Sequence, residues 1–227
     1  FMVFMLSLAL LFSLYLLQSN LGTQTFNAKF KTLFSKSSQI NRLSAARLFL
    51  FGARDIWFVV ALPVYLQTQL AWSHIEVGTL LAVWIILYGL VQTLAPKITQ
   101  ATTPNPPNGF STFLWALPLI IITASLSYYE FSAGLSSEFL VLALLIFGAF
   151  FAINSSIHSY LIIAYAREEG VSLDVGFYYM ANAAGRLIGT VLSGLLYQYY
   201  SLAVCLIFSC LFIVIAATIS FFLPKHH

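Results

Sequence analysis

The chain has 227 residues, of which 60% are hydrophobic and only 7% charged, with a formal net charge of +3. Its mean hydropathy is +0.91. Soluble domains carry about 25% charged residues, so this composition excludes an ordinary water-soluble enzyme and points to an all-α polytopic membrane protein. The alternating pattern of a transmembrane barrel is absent, which leaves helices as the spanning elements.

Seven helical spans are predicted along the chain. Residues 1–17 form the first, which opens on Phe1 inside an apolar run, without the basic start or cleavage site of a signal peptide. It is expected to be the last helix of an N-terminal half that is missing from this sequence. Residues 18–42 are a basic loop carrying Lys29, Lys31, Lys36 and Arg42 and no acid. The second span runs over 44–66 and the third over 75–95. Residues 96–108 contain Pro104, Pro106 and Pro107 and read as a loop. The remaining spans are 109–128, 138–164, 175–199 and 201–223. Residues 43–224 are therefore expected to be one six-helix bundle, and 225–227 a short tail whose His226-His227 pair takes no part in function.

Alternating the spans across a membrane sorts the charges. Lys29, Lys31, Lys36, Arg42, Lys97, Arg167 and Lys225 fall on one side, while Glu130 and Glu138 fall on the other. By the positive-inside rule the first side, with the C-terminus, is cytoplasmic. Six spans after a basic loop match one half of a transporter built from two such halves.

The second span holds Arg47, Arg54 and Asp55 inside an apolar run. A mid-bilayer arginine costs about 2.5–3.5 kcal/mol on insertion scales, so it needs a partner or a water-filled cavity. Arg47 and Arg54 are seven apart and share a helix face, about 10 Å apart along the axis. Asp55 points about 100° away and is not expected simply to neutralise Arg54. In the sixth span Asn182, Arg186, Thr190 and Ser193 make a polar stripe beside a small-residue stripe of Ala181, Gly185 and Gly189. Arginines facing one cavity suit a small oxyanion, because a guanidinium grips phosphate, arsenate or carboxylate with two parallel bonds. The competing interpretation is an Arg–Asp network that only locks helices together.

His158, with Asn154 one turn before it, and Glu76 at the start of the third span are the candidates for proton coupling. Each also has a structural explanation: a hydrogen-bonded packing residue and a solvated carboxylate. Trp84, Tyr88 and Gln92 share a face that reads as packing, and Trp72 fits an interfacial belt. Ser155 and Ser156 near His158 lack the spacing of a hydrolase nucleophile and read as helix back-bonding. Cys205 and Cys210 read as apolar fillers, so no metal and no cofactor is expected. No phosphate-binding Gly-rich loop or nucleic-acid surface is present.

Residues 43–66, with Ser44-Ala45-Ala46-Arg47-Leu48-Phe49-Leu50-Phe51-Gly52-Ala53-Arg54-Asp55-Ile56-Trp57, and residues 182–197, with Gly185-Arg186-Leu187-Ile188-Gly189-Thr190, resemble the major facilitator superfamily. Within it they are similar to the bacterial organoarsenical efflux permeases of arsenic-resistance operons. The stretch 95–99 departs from the Gly- and Arg-rich signature that many facilitators carry there. The resemblance implies the C-terminal half of a secondary transporter in the bacterial inner membrane, with no enzymatic activity. Its implied cargo is 1-arseno-3-phosphoglycerate, made when a glyceraldehyde-3-phosphate dehydrogenase uses arsenate. That makes the dehydrogenase a functional partner, beside the lipid bilayer and the missing N-terminal half. The residues alone leave open a transporter of a phosphorylated metabolite or organic acid, and a non-transporting scaffold or receptor.

Overall fold

The computed structural model describes residues 2–16, 37–102, 106–166 and 170–224. The basic residues Lys29, Lys31, Lys36, Arg167 and Lys225 lie outside them, as do Pro104 and the terminal histidines. Among the described residues every regular element is helical. Helix α1 (Met2–Leu16) belongs to one compact unit, and seven further helices form a second. These are α2 (Ser38–Phe58), α3 (Ala61–Thr68), α4 (His74–Thr102), α5 (Gly109–Ser132), α6 (Ser137–Tyr165), α7 (Val171–Tyr199) and α8 (Leu202–Phe221).

The helix starts are set by local chemistry. Ser37, Ser136 and Ser201 cap α2, α6 and α8 by accepting from backbone N–H groups. Asn108 and Ser111 form a reciprocal capping box at α5, and Ser73 with Glu76 does the same at α4. Five stretches are long and apolar enough to cross a membrane: α2 with α3, α4, α5, α6 and α8. Helix α7, at 29 residues, is as long as α4 and α6; Asp174, Asn182, Arg186, Thr190 and Ser193 interrupt its apolar character. The outside of the bundle is correspondingly apolar, with Ile85, Ile86, Leu90, Ile121, Leu142 and Ile163 among its exposed residues. That is a surface suited to hydrocarbon, and the chain is a multi-pass membrane protein.

Helix α2 is the centre of the unit, packed against α6, α7 and α8. Helix α4 is peripheral and buries only Val77, Trp84, Ala95 and Thr99. The helices alternate in direction. At one end Arg42 of α2 donates to the Phe222 carbonyl, Tyr165 of α6 donates to the Pro224 carbonyl, and Gly109 of α5 abuts Ser220 and Leu223. At the other, Tyr65 of α3 donates to Glu130 of α5, and the Trp72 indole donates to Ser137 of α6. Ser127 of α5 donates there to the Ala203 carbonyl at the start of α8.

Several helix ends differ from the sequence expectation: α2 starts at Ser38, α5 runs on to Ser132 and α7 starts at Val171, and two further differences have a proline behind them. Helix α4 runs through Pro96 to Thr102 instead of ending at Ala95. Proline removes one N–H but need not end a membrane helix when side chains and local adjustment occupy the backbone groups around it. Here Thr93 and Thr99 donate to the Leu90 and Pro96 carbonyls on either side of the ring. The second span is not one helix either. It breaks at Val59–Val60, four and three residues before Pro63, whose missing N–H leaves the Val59 carbonyl without its helical donor.

Candidate functional site

Helix α7 lies directly on α2 through a stripe of small residues. A side chain at Gly185 would collide with the Leu48 carbonyl. A Cβ at Gly189 would stand 3.0 Å from Asp55 Cβ and 3.1 Å from Gly52 Cα. Ser193, four residues further on, continues this line instead of belonging to the polar stripe. Its buried Oγ accepts from the backbone N–H groups of Val60 (3.3 Å) and Ala61 (3.0 Å), so it satisfies two donors exposed by the break. Such approach is the form helix association takes in lipid, where packing and hydrogen bonds replace a water-driven core.

The charged residues line this seam. Asp55 is fully buried. Its Oδ1 accepts from Arg54 Nε at 2.7 Å and pairs with Arg54 Nη2 at 2.7 Å. Its Oδ2 accepts from Arg186 Nε at 3.1 Å. This corrects the expectation that Asp55 does not simply neutralise Arg54. The Cα–Cβ vectors of neighbouring helical residues diverge, but the long arginine chain folds back across that angle. Arg186 and Asp55 are brought together as the locking interpretation requires, yet one carboxylate serves two guanidiniums.

Arg47 is buried one level along α2. Its Nε donates to Asn182 Oδ1 (3.2 Å), and its Nη1 donates to the Ser155 carbonyl (3.0 Å) and Oγ (3.1 Å). Its guanidinium lies 3.9 Å from the Phe51 ring centroid and 5.1 Å from that of Tyr178. Arg54 lies 5.0 Å from the same Phe51 ring and 5.3 Å from Phe151. Two cations thus flank one aromatic ring, each stabilised by its π-face. Among the described residues Arg47 has no carboxylate partner, and Asp55 is the carboxylate that the seam's other two arginines share.

His158 and Asn154 are buried on α6 beside this set. Asn154 donates to the Thr112 carbonyl at 3.0 Å. Among the described residues His158 Nδ1, Asn154 Oδ1 and Ser44 Oγ have no hydrogen-bond partner. They sit on α6 and α2, two of the helices that hold Arg47, and buried polar atoms of this kind are served by ordered water. Glu76 is elsewhere. It is exposed at the start of α4, where it accepts from Ser73 N at 2.7 Å and Ser73 Oγ at 2.8 Å, and it makes no contact with the arginines. Trp84 and Tyr88 stack at 5.4 Å, and the Trp84 indole donates to the Leu144 carbonyl at 2.9 Å, which is packing. Cys205 is buried in the apolar core.

Ser155 and Phe51 hold the arginines in place, although neither stood out in the sequence. Ser155 resembles an ordinary back-bonding serine, and only its place beside Asn154 and His158 on one helix marks it. Phe51 sits four residues after Arg47 and three before Arg54, the spacing at which side chains on one helix meet.

A polytopic helical protein whose central helix carries arginines along a tight helix–helix seam has the make-up of a membrane transport protein. The family model described as Major Facilitator Superfamily matches residues 43–227, and the chain belongs to that superfamily of secondary transporters. No curated protein matches it.

Proposed function

We propose that this chain forms the C-terminal six-helix half of a bacterial inner-membrane transporter that exports a small organic oxyanion, 1-arseno-3-phosphoglycerate, and so confers arsenate resistance. On this proposal α1 is the last helix of the N-terminal half, residues 18–42 are the cytoplasmic central loop, and a glyceraldehyde-3-phosphate dehydrogenase supplies the cargo. The observation that carries it is the gathering of three arginines along the α2–α7 seam: Arg54 and Arg186 share the one carboxylate of Asp55, and Arg47 is held by the neutral groups of Asn182 and Ser155. Cationic charge that is not balanced inside a low-dielectric bundle is costly. A divalent anion arriving as cargo supplies the missing counter-charge. Guanidinium forks also fit the tetrahedral oxygens of arsenate and phosphate. Cys205 and Cys210 do not approach as a pair of thiols: one is in the core, and the other bonds toward the Ile120 carbonyl. The lack of a thiol pair here argues against trivalent arsenic as the cargo and favours an oxyanion.

The test is arsenate survival of a sensitive bacterium expressing the whole transporter with and without such a dehydrogenase. Resistance that needs both proteins is the expected result. Resistance to arsenate without the dehydrogenase, or none with it, contradicts the proposed cargo. Accumulation of phosphorylated metabolites instead would assign the half to an importer.

A further inference from the structure

The two arginines on Asp55 are not equivalent. Arg54 puts both Nε and Nη2 on one carboxylate oxygen at 2.7 Å, its side chain is 12% exposed, and the rings of Phe51 and Phe151 stand beside its guanidinium. Arg186 touches Asp55 through Nε alone, at 3.1 Å, and its side chain is 55% exposed. A guanidinium has two edges able to form paired bonds, the Nε–Nη edge and the Nη1–Nη2 edge. Asp55 occupies the first edge of Arg186 with a single bond and leaves the second open.

We infer that Arg186 is the residue that grips the anion, while Arg54 and Asp55 are positioning residues that do not touch it. This rests on the functional reading above and assigns its parts. Arg54 neutralises Asp55 through the shorter contacts, so the carboxylate can orient Arg186 without cancelling its charge. The Nε anchor fixes the plane of the Arg186 guanidinium, and its Nη1–Nη2 edge presents two parallel donors to a phosphate or arsenate group. The glycines of α7 serve the same end. Gly185 and Gly189 bring the helix against α2, so that Arg186, one residue off the contact line, reaches Asp55 while its far edge stays open.

The experiment is chemical modification of the whole transporter in membranes with phenylglyoxal, an arginine-selective reagent, followed by peptide mass spectrometry. 3-Phosphoglycerate and inorganic arsenate are the protecting probes. Arg186 is expected to react and to be protected several-fold by either probe, while Arg54 is unlabelled with or without them. Labelling of Arg54 that the probes suppress, or labelling of Arg186 that neither probe changes, overturns the inference. The arsenate-survival result stands or falls separately, so resistance without protection of Arg186 rejects the assignment and keeps the functional reading. Conservative variants give a second readout. Arg54→Lys keeps a cation for Asp55 and is expected to raise the apparent KM about tenfold with kcat retained. Arg186→Lys loses the fork and is expected to lower kcat/KM about a hundredfold. Equal losses in the two variants reject the division of roles.

Discussion

The α2–α7 contact and the α4–α6 contact each depend on a glycine, and they use it for opposite ends. On α6, Gly148 makes room for a side chain: a Cβ there would stand 2.6 Å from Trp84 Nε1. The indole fills the space, donates to the Leu144 carbonyl, and is flanked by Tyr88 and by Phe58 at 4.4 Å. That contact is aromatic and carries no charge. On α7, Gly185 and Gly189 make room for the backbone of α2 at Leu48 and Gly52. No large side chain enters, so the polar groups beside the stripe are drawn together: Asn182 to Arg47, Arg186 to Asp55, and Ser193 to the broken backbone at Val60–Ala61. A small residue in a membrane helix thus marks close approach, and its neighbours decide whether the contact is packing or a site.

The largest effect is expected where the backbone itself is the partner. Gly185→Leu must push α2 and α7 apart against a fixed carbonyl, which overpacking data place at about 3 kcal/mol or more. Efflux should vanish, and the detergent-solubilised protein should elute as aggregate in size-exclusion chromatography. Gly148→Leu, by contrast, meets a side chain that can turn away, and a monodisperse peak with a lowered melting temperature is expected. Next comes Ser193→Ala, which leaves two inward N–H groups without an acceptor at a cost of about 1–3 kcal/mol. Its signature is faster deuterium exchange at Val60 and Ala61, at the start of α3, relative to the amides of α2. Trp84→Phe keeps most of the aromatic contact and loses one hydrogen bond worth about 1 kcal/mol, seen as a small drop in melting temperature with efflux preserved. Gly194→Ala is the control. It lies on α7 beyond the stripe with open space around it, and neither melting temperature nor efflux should change.

Much of this was legible in the sequence. Hydropathy marks five of the seven expected spans, α1 being too short and α7 too polar to qualify, and the capping serines, Asn108 and Ser73-x-x-Glu76 mark the helix starts that the structure shows. The alternation of ends was also readable. Arg42 and Lys97 lie at one end of the bundle, with Glu130 and Glu138 at the other. The Gly185–Gly189 stripe was visible as spacing, and Ser193 could have been added by counting four more residues. Three features were not readable, for separate reasons. Pro96 has the local chemistry of a helix end, and only the surrounding bundle and the flanking threonines carry the helix past it. The break at Val59–Val60 needs an acceptor from another helix, and pattern along one chain cannot supply that. The Arg54–Asp55 pair defeats the angular rule because that rule places Cβ atoms, not the ends of long flexible side chains.

The central claim is that the arginines of the α2–α7 seam serve an anion and do not merely tie helices together. The most direct test removes the tie and keeps the charge balance, in the double variant Arg186→Gln with Asp55→Asn, scored by arsenate survival of cells that express the whole transporter with the dehydrogenase. Membrane levels are checked by immunoblot, and the two single variants are run beside it. The double variant is expected to insert normally and to leave cells as sensitive as those lacking the transporter, because the grip of Arg186 is gone. Recovery of resistance in the double variant, with both single variants inactive, would mean that Arg186 exists to pair with Asp55 and would contradict the account.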